Sequence, residues 1–246
     1  MHAILTLSAS HCRFLDPSTP SIRYHELECT HRKYALSGLR DALSSPVNKE
    51  NFDPLLTSSI LLLFHSWSFV DTTNADEIHF PVDDVLVITP GLRDIVLQAR
   101  KKALNSIFGA DITRSLELPE QQAFFPELQE LCYPLDAERT DNTYASAASS
   151  MMSILSAIKK PSQNTRRCIL AWPALCSKEY IAAVQLNDEQ ALAILAHFYA
   201  AASRLSMPCD WLFATRSLFM CRAIVNRLGG FWEKYLTIPQ TICTGW

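Results

Sequence analysis

Glycine is scarce. The 246-residue chain has six: Gly38, Gly91, Gly109, Gly229, Gly230 and Gly245. Phosphate cradles of the G-x-G-x-x-G or P-loop kind need closely spaced glycines so that backbone N–H groups can approach the anion. These six are not so spaced, and a glycine-built nucleotide site is excluded. The nucleophile elbow G-x-S-x-G is excluded with it. An excess of one charge is also lacking. Twenty-two Lys and Arg stand against 25 Asp and Glu, a net charge of -3, which leaves no basic footprint for nucleic acid. The eight cysteines include no C-x-x-C, so zinc ribbons, zinc clusters and thioredoxin-type centres are absent. Runs such as "RRCILAW" and "LFMCRAIV" read instead as buried, reduced thiols. The seven histidines make no H-E-x-x-H. No stretch approaches the roughly 20 apolar residues of a membrane span; "SILLLFHSWSFV" is short and carries His65. The opening "MHAILTLSASHC" has neither the basic n-region nor the long apolar core of a signal peptide.

What is present is apolar and helical. The chain is 48% hydrophobic and 19% charged, a balance that folds. Met1, Ile4, Leu5, Ser8, Cys12 and Leu15 recur at the spacing of one helix face, yet no capping residue precedes them. Residues 21–43 give a long amphipathic helix, with Ile22, Leu27, Tyr34, Leu36, Leu39 and Leu43 on one side and Glu26, Glu28, Arg32, Lys33, Arg40 and Asp41 on the other. Asp53 as cap and Pro54 at the first position start a central buried helix through Trp67. Residues 71–89 read as loop. Thr89 and Pro90 start the next helix. Residues 105–140 read as a mobile surface loop, with a short helix at "FPELQELC". Helix resumes at "DNTYASAASSMMSILSAIKKP", and "SQNTRR" is a polar linker. "CILAWPALCSKEYIAAVQL" breaks at Pro173 and restarts after a Ser177 cap. Asn187 and Gln190 make a capping-box pattern for the helix through Leu205. Another helix ends at Gly229 and Gly230, and "FWEKYL" is a last short turn. The expectation is an all-α, bundle-like single domain over 1–246, with about eight or nine helices and no strand.

Chemical motifs fail one by one. Asp83-Asp84 suggests the metal-binding carboxylates of helical terpene cyclases, but Val87 stands where a third carboxylate is needed, and Asn226, Gly230 and Lys234 do not supply the second motif. His65 and His197, alone on apolar helices, read as hydrogen-bonded core histidines. No catalytic residue, metal site or cofactor is signalled, and the chain reads as non-enzymatic. Trp172, Phe198, Trp211, Phe213, Phe219 and Met220 are large, apolar and near helix ends. They are candidates for a ligand pocket, set against ordinary core packing, which aromatic and Met side chains at helical spacing more often serve.

Four stretches carry a resemblance: "HAILTLSASH" (His2–His11), "YALSGLRDALSSPVNKENFDPLLTSSILLLFHSW" (Tyr34–Trp67), "LAWPALCSKEYIAAVQLNDEQALAILAHFYAAASRL" (Leu170–Leu205) and "LFMCRAIVNRLGGFWEKYL" (Leu218–Leu236). In this order they resemble the C-terminal regulatory region of fungal zinc-cluster transcription factors, especially the sterol-regulatory type. In "CDWLFATRS", Trp211 is retained and the family's glycine is not. The family's six-cysteine pattern is absent, and Met1 stands where the family has an internal residue of its first helix. The expectation is a chain lacking that helix's start and the upstream zinc cluster, with no direct nucleic-acid binding. The resemblance implies a nuclear regulatory domain, or one shuttling between cytoplasm and nucleus, that senses a small lipid or sterol in an apolar pocket lined by the candidates above. Two alternatives stay open. One is a ligand-free module for homodimerisation or for holding a transcriptional co-regulator; the other is an unrecognised helical enzyme.

Overall fold

A computed structural model describes residues 1–16, 21–68, 84–99, 118–121, 123–135, 142–158, 162–204 and 211–244. Asp83, His79 and Cys209 lie outside this set, as do most of 71–89 and, within the expected loop, residues 105–117, 122 and 136–140. Among the described residues the fold is all-α, with no strand. The helices are α1 (His2–Leu15), α2 (Ser21–Leu43), α3 (Phe52–Ser68), α4 (Asp84–Ala99), α5 (Pro126–Glu130), α6 (Ala145–Ile158), α7 (Gln163–Leu175), α8 (Lys178–Gln185), α9 (Glu189–Arg204), α10 (Ala214–Leu228), a 3₁₀ helix (Gly230–Tyr235) and α11 (Thr237–Thr244). Where the even spread of apolar sequence suggests one domain, the backbone gathers into two compact units: Met1–Phe69 with Val87–Ser115, and Val70–Leu86 with Leu116–Trp246.

The first unit is built on α1, α2 and α3, each packed on the other two, with α4 against α3. The face of α1 that packs is not the face its large side chains suggest. Ala3, Thr6, Ala9 and Ser10 are buried, while Met1, Ile4, Leu5 and Leu15 are exposed. Small side chains let helix backbones approach closely, and that contact prevails over the wider apolar stripe. The same inversion occurs on α2. Glu28, assigned by periodicity to the solvated face, is fully buried, and Leu27, Tyr34, Leu36 and Leu43 are exposed. Ala3, Ala35 and Leu62 form one apolar cluster. Phe52, Leu56 and Ile95 form another.

Several helix ends differ from the sequence reading. Helix α3 starts at Phe52, one residue before Asp53. The turn ahead of it is closed by two asparagines: the Asn48 backbone N–H donates to Asn51 Oδ1 (2.7 Å) and that of Asn51 to Asn48 Oδ1 (3.0 Å). Helix α4 begins at Asp84 and runs through Pro90, so Thr89 is a buried helical residue and not a cap. Pro173 likewise lies inside α7. "SQNTRR" is no linker but the start of α7. Ser162 caps it through the Thr165 N–H (3.1 Å), and Thr165 Oγ1 accepts the Ser162 N–H in return (3.2 Å).

In the second unit α9 is the central rod. Every side chain from Gln190 to Ser203 is buried, and α6, α7, α8, α10 and α11 all touch it. Each large apolar side chain so enclosed contributes roughly 1.5–3 kcal/mol of transfer free energy. Ser177 caps α8 as its position suggests, accepting the Tyr180 N–H at 3.1 Å. The cap of α9 is Asp188, whose Oδ1 accepts the Ala191 N–H (2.9 Å). Asn187 occupies the left-handed region at φ 58° instead, a conformation Asn tolerates better than most residues. Gln190 does not reach back to a cap. It ties down the α5 segment: its Nε2 donates to the carbonyls of Leu131 (3.1 Å) and Tyr133 (2.7 Å), and its Oε1 accepts the Leu135 N–H (3.0 Å). Leu128 and Leu131 are fully buried, so this part of the expected surface loop belongs to the core. Helix α11 had no sequence expectation. Its Pro239 falls in the first turn, where a missing N–H costs nothing.

Candidate functional site

In the first unit the end of α2, the turn that follows it, α3 and α4 enclose an open cavity of about 540 Å³. Leu39 and Leu43 come from α2, Pro46 and Val47 from the turn, and Leu92 and Ile95 from α4. The geometry follows from local sequence. "SSPVNKEN" ends α2, and the paired asparagines turn the chain back into α3. Val47 and Leu92 then pack against the buried cluster of Phe52, Leu56 and Ile95, of which Ile95 itself lines the cavity. Polar groups on the wall are few. Ser59 Oγ donates to Leu55 O (2.9 Å) and Ser44 Oγ to Asp41 O (2.6 Å), so both hydroxyls are turned to the backbone. Asp94 is the charged residue on the lining. Gly91 also lines it, and a side chain built there would enter open space. The volume is within the range for a small organic ligand. An apolar body with one hydroxyl or amine directed at Asp94 is the chemistry it fits.

The same unit buries a polar cluster. His65 Nε2 lies 2.7 Å from Glu28 Oε1, and both side chains are essentially inaccessible. Arg13 Nε approaches Glu28 Oε2 at 3.2 Å from a side chain that is 27% exposed. Ser10 Oγ and Ser68 Oγ are 2.9 Å apart. One buried carboxylate thus joins α1, α2 and α3. Periodicity could not find it, but a lone His in the Leu-rich α3 was the available signal, since a buried ring needs a polar partner.

The six residues singled out in sequence all lie in the second unit. Trp172 and Phe198 are brought together, fully buried, with rings stacked at 4.8 Å and 21° between planes. Tyr180 meets Trp172 edge-on at 5.8 Å. Trp172 Nε1 donates to Ser150 Oγ (3.0 Å) and Ala147 O (3.3 Å), and Tyr180 donates its hydroxyl to Ala191 O (3.0 Å). These rings fill the core around α9. Trp211 and Phe213 stand half-buried in the turn before α10, Phe219 is half-buried on α10, and Met220 is buried on it.

His197 is fully buried on α9, and its Nε2–H donates to Tyr235 O at 2.9 Å. Burial pulls its pKa from 6.5 down to about 4, against the opposing effects of that hydrogen bond and of Glu127. Both lone histidines are therefore hydrogen-bonded core residues. Burial raises the thiols of Cys132, Cys168 and Cys176, with Arg167 opposing at Cys168. Among the described residues no three His, Cys, Asp or Glu are grouped to hold a metal ion, and no helix is long and apolar enough to cross a membrane. No protein-family model matches the chain, and no curated protein matches it.

Proposed function

We propose that this chain is the regulatory, ligand-sensing region of a fungal zinc-cluster transcription factor, of the sterol-uptake-control kind, acting in the nucleus. The observation that carries the reading is the cavity of the first unit. It is built largely from Tyr34–Trp67, one of the stretches that resemble the family, and its walls are mostly aliphatic. Its occupant would be a sterol or a lipid of similar size, apolar in body with a hydroxyl near Asp94. Ligand binding could act as a switch only by favouring one of two conformations. DNA contact is not assigned to this chain.

The test is a titration of the purified chain with dehydroergosterol, read by its fluorescence. Saturable binding near one equivalent is expected. Gly91→Phe adds a ring at a lining position where a Cβ meets nothing within 4 Å, and it should weaken binding at least tenfold while leaving the chain folded. A wild-type chain that binds no sterol refutes the reading.

One observation favours a second reading, a helical interaction module. Ile4 and Leu5, neighbours on α1, are large apolar side chains left exposed, as are Phe14 of α1 and Leu27 and Leu36 of α2, and covering such side chains is what drives association. A concentration-dependent dimer in sedimentation velocity, abolished by Ile4→Lys, would carry it.

A further inference from the structure

Cys221 on α10 and Cys243 on α11 have their sulfur atoms 3.4 Å apart. Both are free thiols; Cys221 is fully buried and Cys243 half-buried. The Cys221 sulfur is lodged 3.8 Å from Ala196 O and 3.9 Å from Pro239 O, at the junction of α9, α10 and α11. Arg222, next in sequence, donates from Nη2 to Cys243 O at 3.2 Å and holds the end of α11 against α10. The two thiols therefore meet at a fixed place in the fold. One faces inward and the other can be reached from solvent. Closing to the ~2.05 Å of an S–S bond requires a relative sulfur movement of about 1.4 Å, within the scope of small side-chain rotations.

We propose that Cys221 and Cys243 form a peroxide-oxidisable disulfide site, with Cys243 as the sulfur that meets the oxidant and Cys221 as the resolving thiol. The Cys243 thiolate attacks one oxygen of hydrogen peroxide, and the O–O bond breaks. The departing hydroxide takes up the proton the thiol released and leaves as water, giving a sulfenic acid on Cys243. The Cys221 sulfur then attacks the Cys243 sulfur, and the S–O bond breaks. The hydroxyl leaves as a second water, carrying the Cys221 proton. Two thiols lose two electrons in all, and one peroxide becomes two waters. Burial and the adjacent Cys243 thiol raise Cys221, with Arg222 opposing; it stays protonated at neutral pH and does not react first. The bond would fasten α11 to α10, and a dithiol would release it.

The wild-type chain is treated with hydrogen peroxide, its remaining thiols are blocked with N-ethylmaleimide, and it is digested with trypsin without reduction. Mass spectrometry should find Ser217–Arg222 joined to Tyr235–Trp246, two hydrogens lighter than the separate peptides and separated again by dithiothreitol. The same treatment in urea should lose this pairing preference. The oxidised chain should melt roughly 5 °C higher. In Cys221→Ser, Cys243 should halt as a sulfenic acid that dimedone traps. Wild-type Cys243 passing to sulfinic acid without the cross-link, or both thiols remaining open to alkylation after peroxide, would overturn the proposal.

Discussion

His197 offers the sharpest test of the second unit. Its ring is fully enclosed on α9, with Nε2–H committed to the Tyr235 carbonyl and Nδ1 buried without a partner. A proton added at Nδ1 would put a charge where no acceptor waits. The folded chain thus holds the ring neutral down to about pH 4, while the unfolded chain takes up a proton near pH 6.5. The sign follows from linkage. Between these values the unfolded state binds more protons, so stability is full above pH 6.5 and falls as pH drops toward 4. At about 1.4 kcal/mol per pH unit below 6.5, moving from pH 7.5 to pH 5 should cost about 2 kcal/mol. The assay is urea unfolding followed by tryptophan fluorescence at both pH values. Other groups titrate in this window too, so the comparison is with His197→Gln, which can still donate to Tyr235 O but does not titrate. The wild type should lose about 2 kcal/mol more than the variant across the window. Equal losses in the two proteins would refute the reasoning.

The buried Glu28 gives a prediction for the first unit. Glu28→Leu removes the carboxylate shared by His65 and Arg13 and should destabilise by about 3 kcal/mol, the low end for breaking a buried ion pair, because Arg13 can turn to water. Glu28→Gln, which keeps an acceptor for His65, should cost less; a Leu variant as stable as wild type in urea would show that the cluster contributes nothing. Trp172→Ala should cost about 3–5 kcal/mol in the same assay, from the ring lost beside Phe198 and the void left behind. Trp172→Phe, provided it folds, should bind dehydroergosterol as the wild type does, because the cavity lies in the other unit; a selective loss of binding would return Trp172 to the list of ligand contacts.

The sequence alone determined the class of the fold. Scarce glycine, the three- and four-residue recurrence of apolar side chains and the Ser177 cap are local properties, and local properties are enough to decide helix against strand. They also located His65 and His197 as core histidines, because an imidazole on an apolar helix must find a partner inside. They picked out Trp172 and Phe198 as large apolar groups, but not whether those rings line a pocket or fill the core. The tertiary structure decided which face of each helix is used. On α1 the small Ala3, Thr6, Ala9 and Ser10 pack and the large Ile4 and Leu5 do not, since the choice depends on how closely two backbones can approach. Glu28 reads as surface until His65 and Arg13 arrive from 37 and 15 residues away to hydrogen-bond its carboxylate. Asp188 caps where Asn187 was expected, because the turn places Asn187 in the left-handed region. The cavity beside Leu39 and Ile95 and the contact of Cys221 with Cys243 are likewise products of distant segments meeting. No periodicity within one helix encodes the space between several.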